Sequence, residues 1–160
     1  MGSTSDLPIL KKAAAFLDEM EIPFEMHALS AHRTPAEVED FARNARGRGL
    51  KVIIAAAGMA AALPGVIASM TTLPVIGIPI NSTLQGEDAL LSIVQMPPGI
   101  TVATVGINGA INAALLAVEM LALSDEAVAG RLDKYRLTLS EKIVKANAEL
   151  SQLEYRFKTN

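Results

Sequence analysis

Apolar residues near the start of the chain, Leu7, Ile9, Leu10, Ala13, Ala14, Phe16, Leu17 and Met20, recur at three- and four-residue steps. That is the period of an amphipathic helix. Ser5 or Asp6 stands where such a helix is capped, and Pro8 falls in its first turn. After Pro23 the period becomes two: Phe24, Met26 and Ala28 alternate with Glu25, His27 and Leu29, which predicts a strand entering a polar loop. Thr34, Pro35 and Glu37 then form a capping-box pattern. Val38, Phe41, Ala42 and Ala45 supply the stripe of a second helix, which Arg46-Gly47-Arg48-Gly49 ends.

Leu50-Lys51-Val52-Ile53-Ile54-Ala55-Ala56-Ala57 is almost continuously apolar, too short for an ordinary helix, and stopped by Gly58. It reads as a strand buried on both faces. Small residues at about 60–70 predict a helix, Pro74 to Pro79 a second buried strand, Glu87 to Val94 a helix, and Thr101 to Ile107 a further strand. Positions 110–123 form a helix that is apolar almost all round, so the sheet should cover one side and something else, another subunit being the natural candidate, the other. A more polar helix runs from Asp125 to about Asn147.

Strands alternating with helices call for right-handed crossovers and a parallel sheet covered on both faces. The fold class is therefore a three-layer α/β/α sandwich, flavodoxin- or Rossmann-like, forming one domain over 1–160. Residues 125–155 make a C-terminal helical extension expected to pack on a neighbouring subunit. In such folds a glycine-containing loop that opens a helix follows a strand, and here the loop at Gly2 has none before it. This predicts a short branched-aliphatic strand preceding Met1 in the native product.

Composition narrows the functions. The chain is 51% hydrophobic but only 4% aromatic, with 26 alanines, so its interior is built from small and branched aliphatic side chains. Mean hydropathy of +0.34 is high for a chain that alone buries roughly 70% of its extended surface. Self-association follows. A net charge of -3 without a basic stretch disfavours nucleic acid, and no membrane-length apolar run or secretory signal is present, which makes the cytoplasm the expected location. Without cysteine, thiolate metal sites and thiol nucleophiles are excluded, and two histidines separated by four strand and loop residues do not make a metal site.

In a parallel α/β sheet ligands lie beyond the carboxyl ends of the strands, where loops 1–6, 30–35, 57–65, 79–87 and 107–110 should converge. Gly2-Ser3-Thr4-Ser5-Asp6 offers free N–H groups and hydroxyls to an anion or a sugar, or else merely caps a helix. It matches neither the dinucleotide fingerprint nor the nucleoside-triphosphate loop. His32 beside Arg33, on the entry loop of a capped helix, pairs a group that titrates near neutrality with a fork suited to phosphate. Ala55 to Ala62 leaves room for a flat ligand to reach backbone. His27, in the alternating strand, reads as structural.

Met1-Gly2-Ser3-x-Ser5-Asp6, Ser30-Ala31-His32-Arg33-Thr34-Pro35, Ala57-Gly58-x-Ala60-Ala61-x-Leu63-Pro64-Gly65 and Ser92-Ile93-Val94-Gln95-Met96-Pro97, in order, closely resemble the N5-carboxyaminoimidazole ribonucleotide mutase family of purine biosynthesis. The likeness runs over nearly all of 1–145. It implies an octamer that moves a carboxylate from an exocyclic nitrogen to ring carbon 4 of an aminoimidazole ribonucleotide, with no cofactor and no metal. It further implies that His32 is the acid/base and that Ser3, Asp6 and Arg33 bind substrate. Ser30 would join the phosphate contacts, and the Gly58 and Ala60 surface would surround the migrating carboxylate. Many members carry His where this chain has Ala62. A branch that carboxylates aminoimidazole ribonucleotide directly with CO2 tends to have Lys at the Arg33 position, and so is the alternative. A non-catalytic nucleotide-monophosphate-binding module is the other.

Overall fold

The computed structural model describes residues 1–160. Three strands, β1 (Ile53–Gly58), β2 (Val75–Ile80) and β3 (Ala103–Thr104), form a parallel sheet in that order. Ile53 pairs with Val75 and Gly58 with Ile80, while Ile76 pairs with Ala103. The helices are α1 (Leu7–Glu19), α2 (Pro35–Asn44), α3 (Leu63–Met70), α4 (Glu87–Val94), α5 (Ala110–Ala122) and α6 (Glu126–Ser151). No helix is long and apolar enough to cross a membrane.

Strand periodicity divides the core. Ile53, Ala55 and Ala57 of β1 face α2, α3 and α4, together with Val38, Ile67 and Ile93. Ala56 of β1 and Ile76, Ile78 and Ile80 of β2 face α1 and α5, with Leu10, Phe16, Ala114 and Val118. All six residues of β2 are buried, as a central strand covered on both sides requires. The alanines of β1 and α5 let helix backbones approach the sheet closely. The three-layer α/β/α arrangement follows.

Three expectations need correction. Residues 24–29 form no strand, because a ladder needs a paired edge and only Met1 reaches them, its amine donating to the His27 carbonyl (2.9 Å) and its carbonyl accepting from Leu29 N–H (2.9 Å). Thr34 occupies the N-cap of α2 but makes no capping bond. Its hydroxyl turns back to Ser30, accepting from Ser30 N–H (2.9 Å) and donating to the Ser30 carbonyl (3.2 Å). The far side of α5 is covered within the same chain, by α1 and by the first turns of α6, through Val128, Leu132 and Tyr135.

That docking is specific. Asp125 caps α6 by accepting from Ala127 and Val128 N–H, and Tyr135 meets Phe16 edge-on at 4.9 Å between ring centroids. Arg131 donates to the Met20 carbonyl (2.7 Å), an orphan acceptor at the end of α1. Beyond these turns Leu137, Leu139, Ile143, Val144 and Leu150 of α6 are exposed.

Candidate functional site

The loops following all three strands carry backbone strain. Five of the six non-glycine residues with positive φ lie there: Met59 and Ala61 after β1, Leu84 and Gln85 after β2, and Asn108 after β3. Each left-handed residue costs about 1–2 kcal/mol, and such strain concentrates where a site is built. Asn108 is the residue the periodicity reading missed. Its N–H donates to the Pro79 carbonyl (2.8 Å) and its side-chain Oδ1 accepts from Asn81 N–H (3.0 Å), which clasps the β2 and β3 loops together. The turn-prone Asn108-Gly109 pair after a strand was the available signal.

Gly86 tightens the same clasp. It has φ +88°, and a Cβ there would stand 2.7 Å from Ile107 Cγ2. Gly58 closes the β1 loop onto the β2 loop, since an added Cβ would lie 3.0 Å from Ser82 Cβ and 3.3 Å from the Ile80 carbonyl. Gly58→Ala should therefore destabilise the protein by about 1–3 kcal/mol in urea unfolding, as overpacking does. Adding Ser82→Gly should recover part of the loss; a fully stable single variant would refute this packing.

The amino-terminal loop is held as a reciprocal cap. Ser3 Oγ accepts from Ser5 N–H (3.3 Å), and Asp6 Oδ2 accepts from Ser3 N–H (3.2 Å). Asp6 Oδ1 accepts from the Ser5 hydroxyl (3.3 Å). Asp6 is the one buried charged residue, at 7% exposure. Burying a carboxylate against local donors fixes its direction before any ligand arrives, and each oxygen keeps accepting capacity.

Arg33 joins this loop to the turn at 30–34. Its Nη2 donates to the Gly2 carbonyl (2.8 Å), and its Nε and backbone N–H both donate to Ser30 Oγ (3.2 Å each). Ser3, Asp6, Ser30 and Arg33 thus form one linked frame at the carboxyl edge of the sheet, with Gly2 N–H bonded to the Ala56 carbonyl of β1 (3.1 Å). His32 lies on the same turn, exposed, beside Arg33 in sequence and outside the bonds that hold Arg33. Gly58 and exposed Ala60 follow β1 at the same edge.

His27 sits apart from this frame. It bonds Glu25 (2.7 Å) and tilts against Phe41 of α2, 5.1 Å between ring centroids, with Arg48 nearby. The bond from the His27 ring holds the Glu25 carboxyl below its usual range. Nowhere do three His, Asp or Glu side chains converge as metal ligands would.

The model of the AIR carboxylase family matches residues 1–142, and that span takes in every loop of this edge. The chain belongs to the AIR carboxylase family. An N5-carboxyaminoimidazole ribonucleotide mutase of Pyrococcus abyssi is 58% identical over 137 residues, 85% of this chain and 79% of the relative. A mutase of the same name from Synechocystis is 50% identical over 157 residues, 98% of this chain and 89% of the relative. The crystal structure of PurE from Treponema denticola superposes with a TM-score of 0.87 at 29% identity, covering 95% of this chain and 96% of that one. The likeness to that structure extends the doubly covered parallel sheet and its flanking helices over 95% of this chain.

Proposed function

We propose that this chain interconverts N5-carboxyaminoimidazole ribonucleotide and 4-carboxy-5-aminoimidazole ribonucleotide in purine biosynthesis, with His32 as acid and base. The observation that carries the residue assignment is the Arg33 frame. It fixes the glycine loop against the turn that presents His32, so a phosphate held by the frame sets the ring's distance from the imidazole.

The steps balance with one group. Cleavage of the N–carboxylate bond leaves CO2 and an amine nitrogen that takes a proton from the imidazolium. Carbon 4 of the electron-rich ring then attacks the retained CO2, and the now neutral imidazole removes the proton from that carbon. An imidazole exchanges protons readily near neutrality. Holding both fragments in place converts an encounter in solution into a local collapse, an effect worth up to about 7–11 kcal/mol in favourable cases. Asp6, already aimed by Ser3 and Ser5, accepts the ribose hydroxyls. Arg33, through the guanidinium donors its loop bonds leave over, and the Ser30 hydroxyl hold the phosphate, and the Gly58 to Ala60 backbone surrounds the carboxylate.

Incubating the protein with each carboxylated ribonucleotide and following interconversion tests the reading. Turnover without added ATP or bicarbonate supports it. Carboxylation of aminoimidazole ribonucleotide that depends on added CO2, with no interconversion, would establish the direct carboxylase in its place.

The working form is a homo-octamer in the cytoplasm, with the part of 125–155 beyond Tyr135 packed on a neighbouring subunit, since the first turns of α6 dock on their own chain. Supporting this, Leu132, Leu139, Ile143 and Leu150 continue one stripe along α6 at seven- and four-residue steps, and Ile143 is 72% exposed. Light scattering at micromolar protein should give a mass eight times 16.9 kDa, and Ile143→Asp should lower it. A stable monomer would overturn the assembly.

A further inference from the structure

Four of the five left-handed residues at the carboxyl edge have a structural reason in view. Asn108 makes the clasp on Asn81, and Ala61 is buried, at 4% exposure, with its N–H on the Gly58 carbonyl (3.0 Å). Leu84 and Gln85 run into Gly86 as one left-handed bend, which seats that glycine against Ile107. Met59 has no such reason. Its φ is 56°, it is 56% exposed, and its side chain belongs to neither apolar core.

The bond from Ala61 N–H to the Gly58 carbonyl closes residues 58–61 into a tight turn. Of its two central residues only the first, Met59, has positive φ, the backbone sign of a type II′ turn. That position favours glycine, because a Cβ there is strained. Glycine would make this turn freely, and a polar residue would suit its exposure. The chain instead places a long apolar side chain there, the only one larger than a methyl group from Ala55 to Ala62. The base of the turn is fixed, since Gly58 packs against Ser82 and the Ile80 carbonyl. Movement is left to the three rotatable bonds of the methionine.

Resting on the mutase reading, we propose that Met59 shields the carboxylate transfer: its thioether side chain folds over the migrating group, keeps water off, and holds the released CO2 beside carbon 4 until the new bond forms. Once the N–carboxylate bond breaks, CO2 is neutral, so the donors that hold phosphate and ribose do nothing to retain it. Escape or hydration to bicarbonate leaves free aminoimidazole ribonucleotide. A polar cover would bring water with it, whereas a flexible, polarizable one fits closely over a small apolar molecule. Exposure of Met59 in the free protein is the open position of this cover, through which substrate enters.

The test follows N5-carboxyaminoimidazole ribonucleotide labelled in its carboxylate, in unlabelled bicarbonate. It measures the partition between labelled 4-carboxy product and free aminoimidazole ribonucleotide, each corrected for the enzyme-free rate. Met59→Gly should raise the share released as free aminoimidazole ribonucleotide by about tenfold or more, with KM changed by less than about twofold. Its thermal midpoint should be no lower than the parent's, since glycine relieves the left-handed strain. Met59→Leu keeps an apolar side chain of similar size and should hold the partition within about threefold of the parent's. An unchanged partition in Met59→Gly would overturn the proposal, as would a loss of turnover in that variant with the partition kept. A parent chain that interconverts nothing would sink the mutase reading and this inference together, whereas an interconverting parent with an equally coupled Met59→Gly would sink this inference alone.

Discussion

His32→Asn is expected to lower mutase turnover by about 10²–10⁴-fold while leaving fold, assembly and ribonucleotide binding in place. The ring is exposed and takes no part in the hydrogen bonds that hold the 30–34 turn, so its loss removes chemistry and not structure. Asparagine keeps one hydrogen bond but cannot shuttle a proton near neutrality. Turnover and equilibrium binding of the substrate should be measured together. His27→Asn is the control, because His27 packs on Phe41 and bonds Glu25 away from the Arg33 frame. Near-normal turnover in the His32 variant would overturn the mechanism, and equal losses at both positions would point to stability.

Arg33→Lys should cost kcat/KM about ten- to a hundredfold, mostly through KM. The guanidinium spends Nη2 on the Gly2 carbonyl and Nε on Ser30 Oγ, which leaves its remaining donors for a phosphate. A lysine ammonium keeps the charge but not the planar fork, so it cannot hold both loops and the phosphate at once. Losing one charge-assisted bond of about 1.5–3 kcal/mol gives that range. Steady-state kinetics measure it. A loss confined to kcat with KM unchanged would instead place Arg33 in the chemical step, and unchanged kinetics would remove it from the site.

Arg33 works through a residue 31 positions away, so the chain alone marks it as a phosphate fork, and only the meeting of the two loops makes it their link. The sequence already contained the 3.6-residue stripe of α1, the buried runs of β1 and β2, the helix at Glu87 to Val94 and the alternation that makes a parallel sheet. These patterns are local: each depends on which face of one element meets an apolar layer, and that is written within ten or so residues. His32, Arg33 and Asp6 also stood out, since their side-chain chemistry is legible without a fold.

Tertiary structure decided the rest. Thr34 could cap its own helix or bond Ser30, and the packing of the turn selected Ser30. The apolar surface of α5 could have been covered by another subunit, but the chain folds back so that Tyr135 and Leu132 of α6 cover it. Asn108 carries no chemistry of its own and matters because strand register brings it to Asn81, 27 residues earlier. Residues 24–29 have a strand's alternation without becoming one, because a strand exists only when its backbone donors and acceptors find a partner edge. Periodicity fixes which way a side chain faces, whereas loop bonds, edges and covered faces depend on segments far apart in sequence meeting in space.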